Sequence, residues 1–156
     1  EVLIDAEPES DEFIEIFNRS EHDIDLAGLN ISARVNQVTS QKVQIWDGCL
    51  PSGQSVTFFP EPQDVLARDD LLGQLQFELH RFLFPNHKTT LFQLWSEGGN
   101  LLDSFFASRR DIEPGVSLNR LPDVTGFRIV KHSQHFDDAQ SPGLRARLNH
   151  SVEKMD

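Results

Sequence analysis

The chain has 156 residues, 38% hydrophobic and 25% charged, a globular mixture too rich in Phe, Leu, Ile and Val for wholesale disorder and short enough for one core. Charged or amide residues interrupt every apolar run before the roughly 18 to 20 residues that a membrane helix needs, so no membrane insertion is expected. The net charge of −11 makes nucleic acid a poor default partner, and the single cysteine, Cys49, excludes an intramolecular disulfide and a multi-cysteine zinc site.

In chain order, Val2 to Ile4 is the first strand candidate. The chain opens at Glu1 rather than Met, which is compatible with a processed leader or a trimmed longer protein. The acidic stretch that follows offers Asp5, Glu7, Glu9 and Asp11 as candidate calcium ligands, since calcium takes several carboxylate oxygens and is often held on loops. Their spacing matches no calcium-loop motif, and a solvated acidic loop is the alternative. Phe13 to Phe17 alternates, with Ile14 and Ile16 predicted to face the core and Phe13, Glu15 and Phe17 to share the other face. If that second face is covered, the Glu15 carboxylate needs a partner, for which Arg120 is the candidate; an exposed Glu15 is the other reading.

Asn18 to Asp23 reads as a turn, and Ile24 to Ile31 as an extended run broken at Gly28 by a bulge or bend. Lys42 to Trp46 is predicted as a strand, paired with Ser55 to Phe59 across the Pro/Gly turn at 50–54. Cys49 falls in a turn-like Gly-Cys-Leu-Pro segment with no neighbouring base, so it reads as structural or incidental, a reactive thiol being the alternative. Residues 61–84 form one long connection in which Asp64 to Leu72 carries a partial helical stripe, giving a short helix or an ordered loop.

Thr90 to Trp95 and Leu101 to Phe106 are joined by Ser-Glu-Gly-Gly-Asn, whose glycines suit a tight hairpin. Val116 to Leu118 and Gly126 to Ile129 are the last strand candidates. Trp46 and Trp95 both lie in strand runs, which assigns them to the core; an exposed platform for sugars is the alternative. His132 and His135, followed by Asp137 and Asp138, would have to leave a strand to share a metal, because positions three apart on a strand point to opposite faces. Residues 151–156 carry no strand or helix signal and read as a tail after a domain over 1–150. The sum is an all-β, immunoglobulin-like two-sheet β-sandwich with one long connection.

Four blocks in order resemble the lamin tail domain. They are Asp11 to Asn18 with Asp25 to Leu29; Leu50 to Thr57; Leu91 to Leu94 through Gly98-Gly99-Asn100 to Ser104; and Ser117 to Asp123 with Gly126-Phe127, Ser141 to Leu144 and Asn149. Leu29 stands where that family usually has Trp, and residues 61–84 run long. The resemblance implies an immunoglobulin-like fold and a non-catalytic interaction module, found in nuclear lamins and in exported bacterial proteins beside enzymatic domains. Expected from it are a protein partner and an extracellular or cell-surface location, with the nucleus as the alternative. It fixes no ligand.

The chain lacks a phosphate loop, a nucleophile elbow and a His-Glu-x-x-His helix, so it is expected not to be an enzyme and to need no cofactor, with calcium as the one candidate ion. Carbohydrate or cell-surface ligand binding and an accessory role beside a hydrolase remain alternatives to protein scaffolding. The basic residues near the C-terminus are interspersed with acids, and Arg109-Arg110 is their only adjacent pair. Duplex DNA titrated with the chain at about 0.15 M salt is therefore expected to show no saturable binding tighter than roughly 10⁻⁶ M, the edge of ordinary non-specific association. Tighter binding that disappears when Arg109 and Arg110 become alanine would overturn the expectation.

Overall fold

The computed structural model describes residues 2–4, 12–36, 38–59, 75–78, 88–121 and 128–131. These residues form β1 (Val2–Leu3), β2 (Phe13–Phe17), β3 (Ile24–Asp25), β4 (Asn30–Val35), β5 (Val38–Gln44), β6 (Cys49–Leu50), β7 (Ser55–Phe59), β8 (Leu75–Glu78), β9 (Thr90–Trp95), β10 (Leu101–Ala107), β11 (Leu118–Leu121) and β12 (Arg128–Lys131). The helical content of the described residues is one 3-10 turn, Arg109–Asp111. The strands assemble as a six-stranded sheet in the order β12-β11-β1-β2-β7-β8, a four-stranded sheet in the order β10-β9-β4-β5, and a β3-β6 ribbon. Every pairing is antiparallel except β7 with β8. The all-β class predicted from the strand signals is what the chain adopts.

One buried cluster draws on both larger sheets. Ile14, Val56, Phe58 and Leu118 from the six-stranded sheet meet Ile31, Ala33, Phe92, Phe105 and Ala107 from the four-stranded one, each at most 8% exposed. Ile16 packs against this cluster from the same side of β2 as Ile14, as period-two alternation requires. Burying each large side chain contributes about 1.5–3 kcal/mol against its exposed state. The other face of β2 is covered too. Leu3, Phe13 and Phe59 form a second buried patch there, with the Phe13 and Phe59 rings edge to face at 6.0 Å.

Arg120 ties the two larger sheets at their margin. From β11 its Nη2 donates to Asp103 Oδ1 at 2.9 Å and to the Ser104 carbonyl at 2.7 Å, both on β10, and its guanidinium lies 5.6 Å from the centre of the Phe105 ring. Arg120 shares the core-facing side of β11 with Leu118, whereas alternation puts Glu15 on the opposite side of β2 from Ile14. The carboxylate that meets Arg120 Nη2 is therefore that of Asp103, which replaces the Glu15 pairing suggested by the sequence. The half of that expectation concerning the covered Phe13 face stands.

Asn18 fixes how the chain passes from β2 into β7. Its side chain is buried, and the amide uses its full capacity: Nδ2 donates to the carbonyls of His22 at 2.8 Å and Leu50 at 3.0 Å, while Oδ1 accepts from Ser20 N at 3.0 Å and Ser20 Oγ at 2.7 Å. Its backbone N–H reaches the Gln54 carbonyl, and its own carbonyl accepts from Gly53 N. Ser52 Oγ donates to the Ser20 carbonyl, and Ser52 N to Asp23 Oδ1. Two turns distant in sequence are thus one unit, and β7 leaves it already aligned on β2, with Ile14 opposite Phe58 and Ile16 opposite Val56. This overturns the hairpin expected between the 42–46 and 55–59 runs, because β5 pairs with β4 in the other sheet. Cys49 is likewise not in a turn but in β6, opposite Asp25.

Two further differences have simple causes. The hairpin of β4 and β5 turns at Asn36, whose φ of 49° is of a kind Asn tolerates better than most residues, and polar flanks hid its strands. Leu75-Gln76-Phe77-Glu78 is a strand inside the segment expected to lack one; its alternation is period two, and its distance in sequence from β7 allows the crossover that parallel pairing needs. The helix considered at 64–72 and the tail after 150 lie outside the described residues. Gly28 is a bend, with φ 88° and its N–H donated to the Ile45 carbonyl, as expected.

Replacing Asn18 by Asp keeps the shape but removes the donor that serves two carbonyls and sets a carboxylate against them. Urea unfolding of Asn18→Asp is expected to show a loss of about 2–4 kcal/mol, on the scale of buried carbonyls left unpaired and a buried charge. A change under about 0.5 kcal/mol, the range of neutral surface substitutions, would show that the two turns hold without it.

Candidate functional site

The metal sites considered from the sequence cannot be placed. Asp5, Glu7, Glu9 and Asp11, and His132 and His135 with Asp137 and Asp138, lie outside the described residues. Among the described residues no three His, Cys, Asp or Glu side chains gather closely enough to hold a metal ion, and no helix is long and apolar enough to cross a membrane. Of the basic group near the C-terminus, Arg109 and Arg110 are exposed on the 3-10 turn and Lys131 is bound to Glu113 at 2.9 Å. Cys49 is a free, exposed thiol.

What the described residues do assemble is a broad outer face on the four-stranded sheet. Ile31, Ala33, Phe92 and Phe105 turn inward, so the residues between them turn outward. Register places them in cross-strand rows. Phe106, Leu91 and Arg34 form one; Ser104, Gln93, Ser32 and Lys42 form the next; Leu101, Trp95, Asn30 and Gln44 form the third. Phe106 is 54% exposed, and Leu101 and the neighbouring bulge residue Leu102 are also open to solvent. In the middle row polar side chains separate the two apolar ends.

Trp95 makes two directed contacts on this face. Its Nε1 donates to Ser32 Oγ at 2.9 Å, and Lys42 Nζ lies 5.5 Å from the ring centre, a cation–π arrangement. Trp95 is half-buried but on the side of β9 opposite Phe92 and Leu94, so it lies outside the core to which its strand run assigned it. Trp46 is outside it too, at 79% exposed. The strand ends at Gln44, the buried residue of the pair is Ile45, which bonds to the backbone of Gly28 and Leu29, and alternation sends Trp46 the other way. The sequence signal for this was present in Ile45-Trp46, since adjacent apolar residues on an extended chain cannot face one core together.

Arg34 is the most unusual member of the face. Its Nε is shut off from solvent yet has no hydrogen-bond partner among the described residues. An unpaired buried guanidinium N–H is costly. Both outermost strands of the sheet, β5 and β10, carry a register shift, at Ala33/Arg34 and at Leu101/Asp103. Such bulges discourage edge-to-edge pairing, which leaves the flat outer face as the broader surface for contact.

No family model matches this chain, and no curated protein matches it. Fold and site together define an all-β domain with an exposed, partly apolar sheet face. Trp46→Ala is expected to leave stability within about 0.5 kcal/mol, as for an exposed side chain, while Trp95→Ala costs about 2 kcal/mol or more through lost packing. Equal losses in denaturant titrations of the two variants would contradict the placement of Trp46 outside the core.

Proposed function

We propose that this chain is a non-catalytic protein-interaction or scaffolding module, built as an immunoglobulin-like two-sheet sandwich of the lamin-tail kind. The observation that carries the reading is the outer face of the β10-β9-β4-β5 sheet, where Phe106, Leu101 and Leu102 stand in solvent while the alternate residues of the same sheet are buried. These exposed apolar side chains stand at two ends of the face with a polar row between them, a mixture of apolar and polar groups of the kind a protein partner covers. The lamin-tail reading is supported by the way the resembling blocks fall on this fold: Asn18 closes the first block and ties it to the second at Leu50 and Gln54, and the third is the β9-β10 hairpin. Cell-surface or extracellular location follows from that resemblance alone, with the nucleus as its alternative.

Carbohydrate binding is the second reading, favoured by one feature, the exposure of Trp46. Sugars stack on such rings, but a lone platform without a second aromatic beside it is weak support. The protein-interaction reading is tested by placing a photo-crosslinking residue at Ser104, in the middle of the face, and at Glu21 on the far turn as control. The expected result is a defined adduct from position 104 alone, whose identified partner, purified, binds the unmodified chain saturably and fails to bind when Leu101 and Phe106 are both changed to Ser. Adducts equal at both positions, or a purified partner indifferent to that double change, would reject the reading.

A further inference from the structure

Independently of the interaction reading, we infer that Asp47-Gly48 is a site of spontaneous covalent modification in the folded chain, where the backbone passes through a succinimide into an isoaspartyl linkage and the β3-β6 ribbon loosens as a result. Glycine after an acid or amide is the sequence setting for this reaction, because no side chain shields the attacking nitrogen. The chain holds that setting once: of all its Asp and Asn residues, only Asp47 is followed by Gly.

The local geometry brings the reacting atoms together. Gly48 N–H donates to Asp47 Oδ1 at 2.8 Å, which sets the nitrogen beside an oxygen bonded directly to the carboxyl carbon it must attack. Asp47 is exposed and lies between β5 and β6, and none of the described residues bonds to its backbone, so the chain there is free to turn toward the ring. With the carboxyl in its neutral form, the Gly48 nitrogen bonds to Cγ, and its proton leaves with the carboxyl hydroxyl as water. Water then opens the five-membered ring by breaking the bond between that nitrogen and the Asp47 α-carbonyl carbon, which becomes a free carboxylate. One water is lost and one gained, so the composition is unchanged.

The product carries one more atom in its main chain, at a place with little slack. On one side Ile45 exchanges backbone bonds with Gly28 and Leu29; on the other the Gly48 carbonyl accepts from Leu26 N, and Cys49 and Leu50 pair with Asp25 and Ile24. Only Trp46 and Asp47 lie between these anchors. The inserted methylene therefore displaces the Gly48 carbonyl, the first link from this loop to β3. Asp103 is the internal comparison: Ser104 N also donates to its carboxylate at 2.8 Å, but the following residue bears a side chain, β10 is paired along β9, and Arg120 holds the same oxygen.

The test ages the whole chain at neutral pH and physiological temperature, folded and, in parallel, unfolded in urea. Isoaspartate is read with a purified isoaspartyl carboxyl methyltransferase and labelled S-adenosylmethionine, and located by peptide mapping. The folded chain is expected to gain label at position 47 about tenfold faster than at position 103, a small barrier difference between an open and a hindered nitrogen. Asp47→Glu, whose carboxyl would need a less favourable six-membered ring, should abolish label at position 47 and melt with the parent. Asp47→Asn, which loses ammonia in place of water, should speed it. Gly48 is left in place, since its φ of 126° would strain any side chain. The isomerised fraction, once separated, should show faster hydrogen exchange at the Leu26 N–H than the parent. Label at 47 no faster than at 103, label at 47 surviving Asp47→Glu, or label at 47 confined to the unfolded sample overturns the site. Unchanged exchange at Leu26 in the isomer overturns the loosening of the ribbon.

Discussion

A buried primary amide has two donors and an acceptor with room for two bonds, and each must be met inside the protein or charged against stability. At Asn18 all of them are met by the backbone or hydroxyl of residues 20, 22 and 50. Because those residues belong to different turns, satisfying one side chain fixes the distance between them. The backbone of Asn18 adds two more links, to Gly53 and Gln54. β2 and β7 then run side by side in the six-stranded sheet, and Ile14, Val56 and Phe58 reach the core from adjoining strands. The hydrophobic gain is far larger than any one hydrogen bond, but it is non-directional. The amide supplies the direction.

Placement of the opposite sheet depends on the shared core and on Arg120. The Arg120 side chain is 18% exposed and that of Asp103 62%, so the ion pair itself, close to solvent, is worth little. What distinguishes Arg120 is that one side chain also bonds the Ser104 carbonyl and covers the Phe105 ring. It seals the margin of the core with its stem and planar head, and β10 is held with its inward residues against β11. With Phe105 turned inward, Ser104 and Phe106 must turn outward. The external face is therefore a consequence of the internal one, passed through strand alternation.

Much of the strand content was legible because it rests on local pattern. Phe13 to Phe17, Ser55 to Phe59 and the hairpin around Gly98-Gly99 each announce themselves by alternation or turn residues, and Ile14 and Ile16 turn to the core as their spacing requires. Pairing between sheets was not legible. The turn at 50–54 looks like any hairpin loop, and nothing in its residues says that Asn18, more than 30 positions earlier, redirects the strand that follows. The β4-β5 hairpin escaped because Ser32, Thr39 and Gln41 mute the apolar signal, the outward side of that sheet being partly polar. Arg34 could not be singled out either. Its interest comes from the company that register gives it, Leu91 and Phe106 from strands far away in sequence.

The same register explains why an exposed apolar face need not make the chain aggregate. An acidic molecule repels its own copies at a distance. The apolar ends are parted by Ser104, Gln93 and Lys42, so the exposed surface is not one continuous hydrophobic patch. Bulged outer strands add a further obstacle to sheet extension. Three separate features thus oppose self-association. Features that only protected solubility would more simply have replaced Phe106 and Leu101 by polar residues, since neither supports the core.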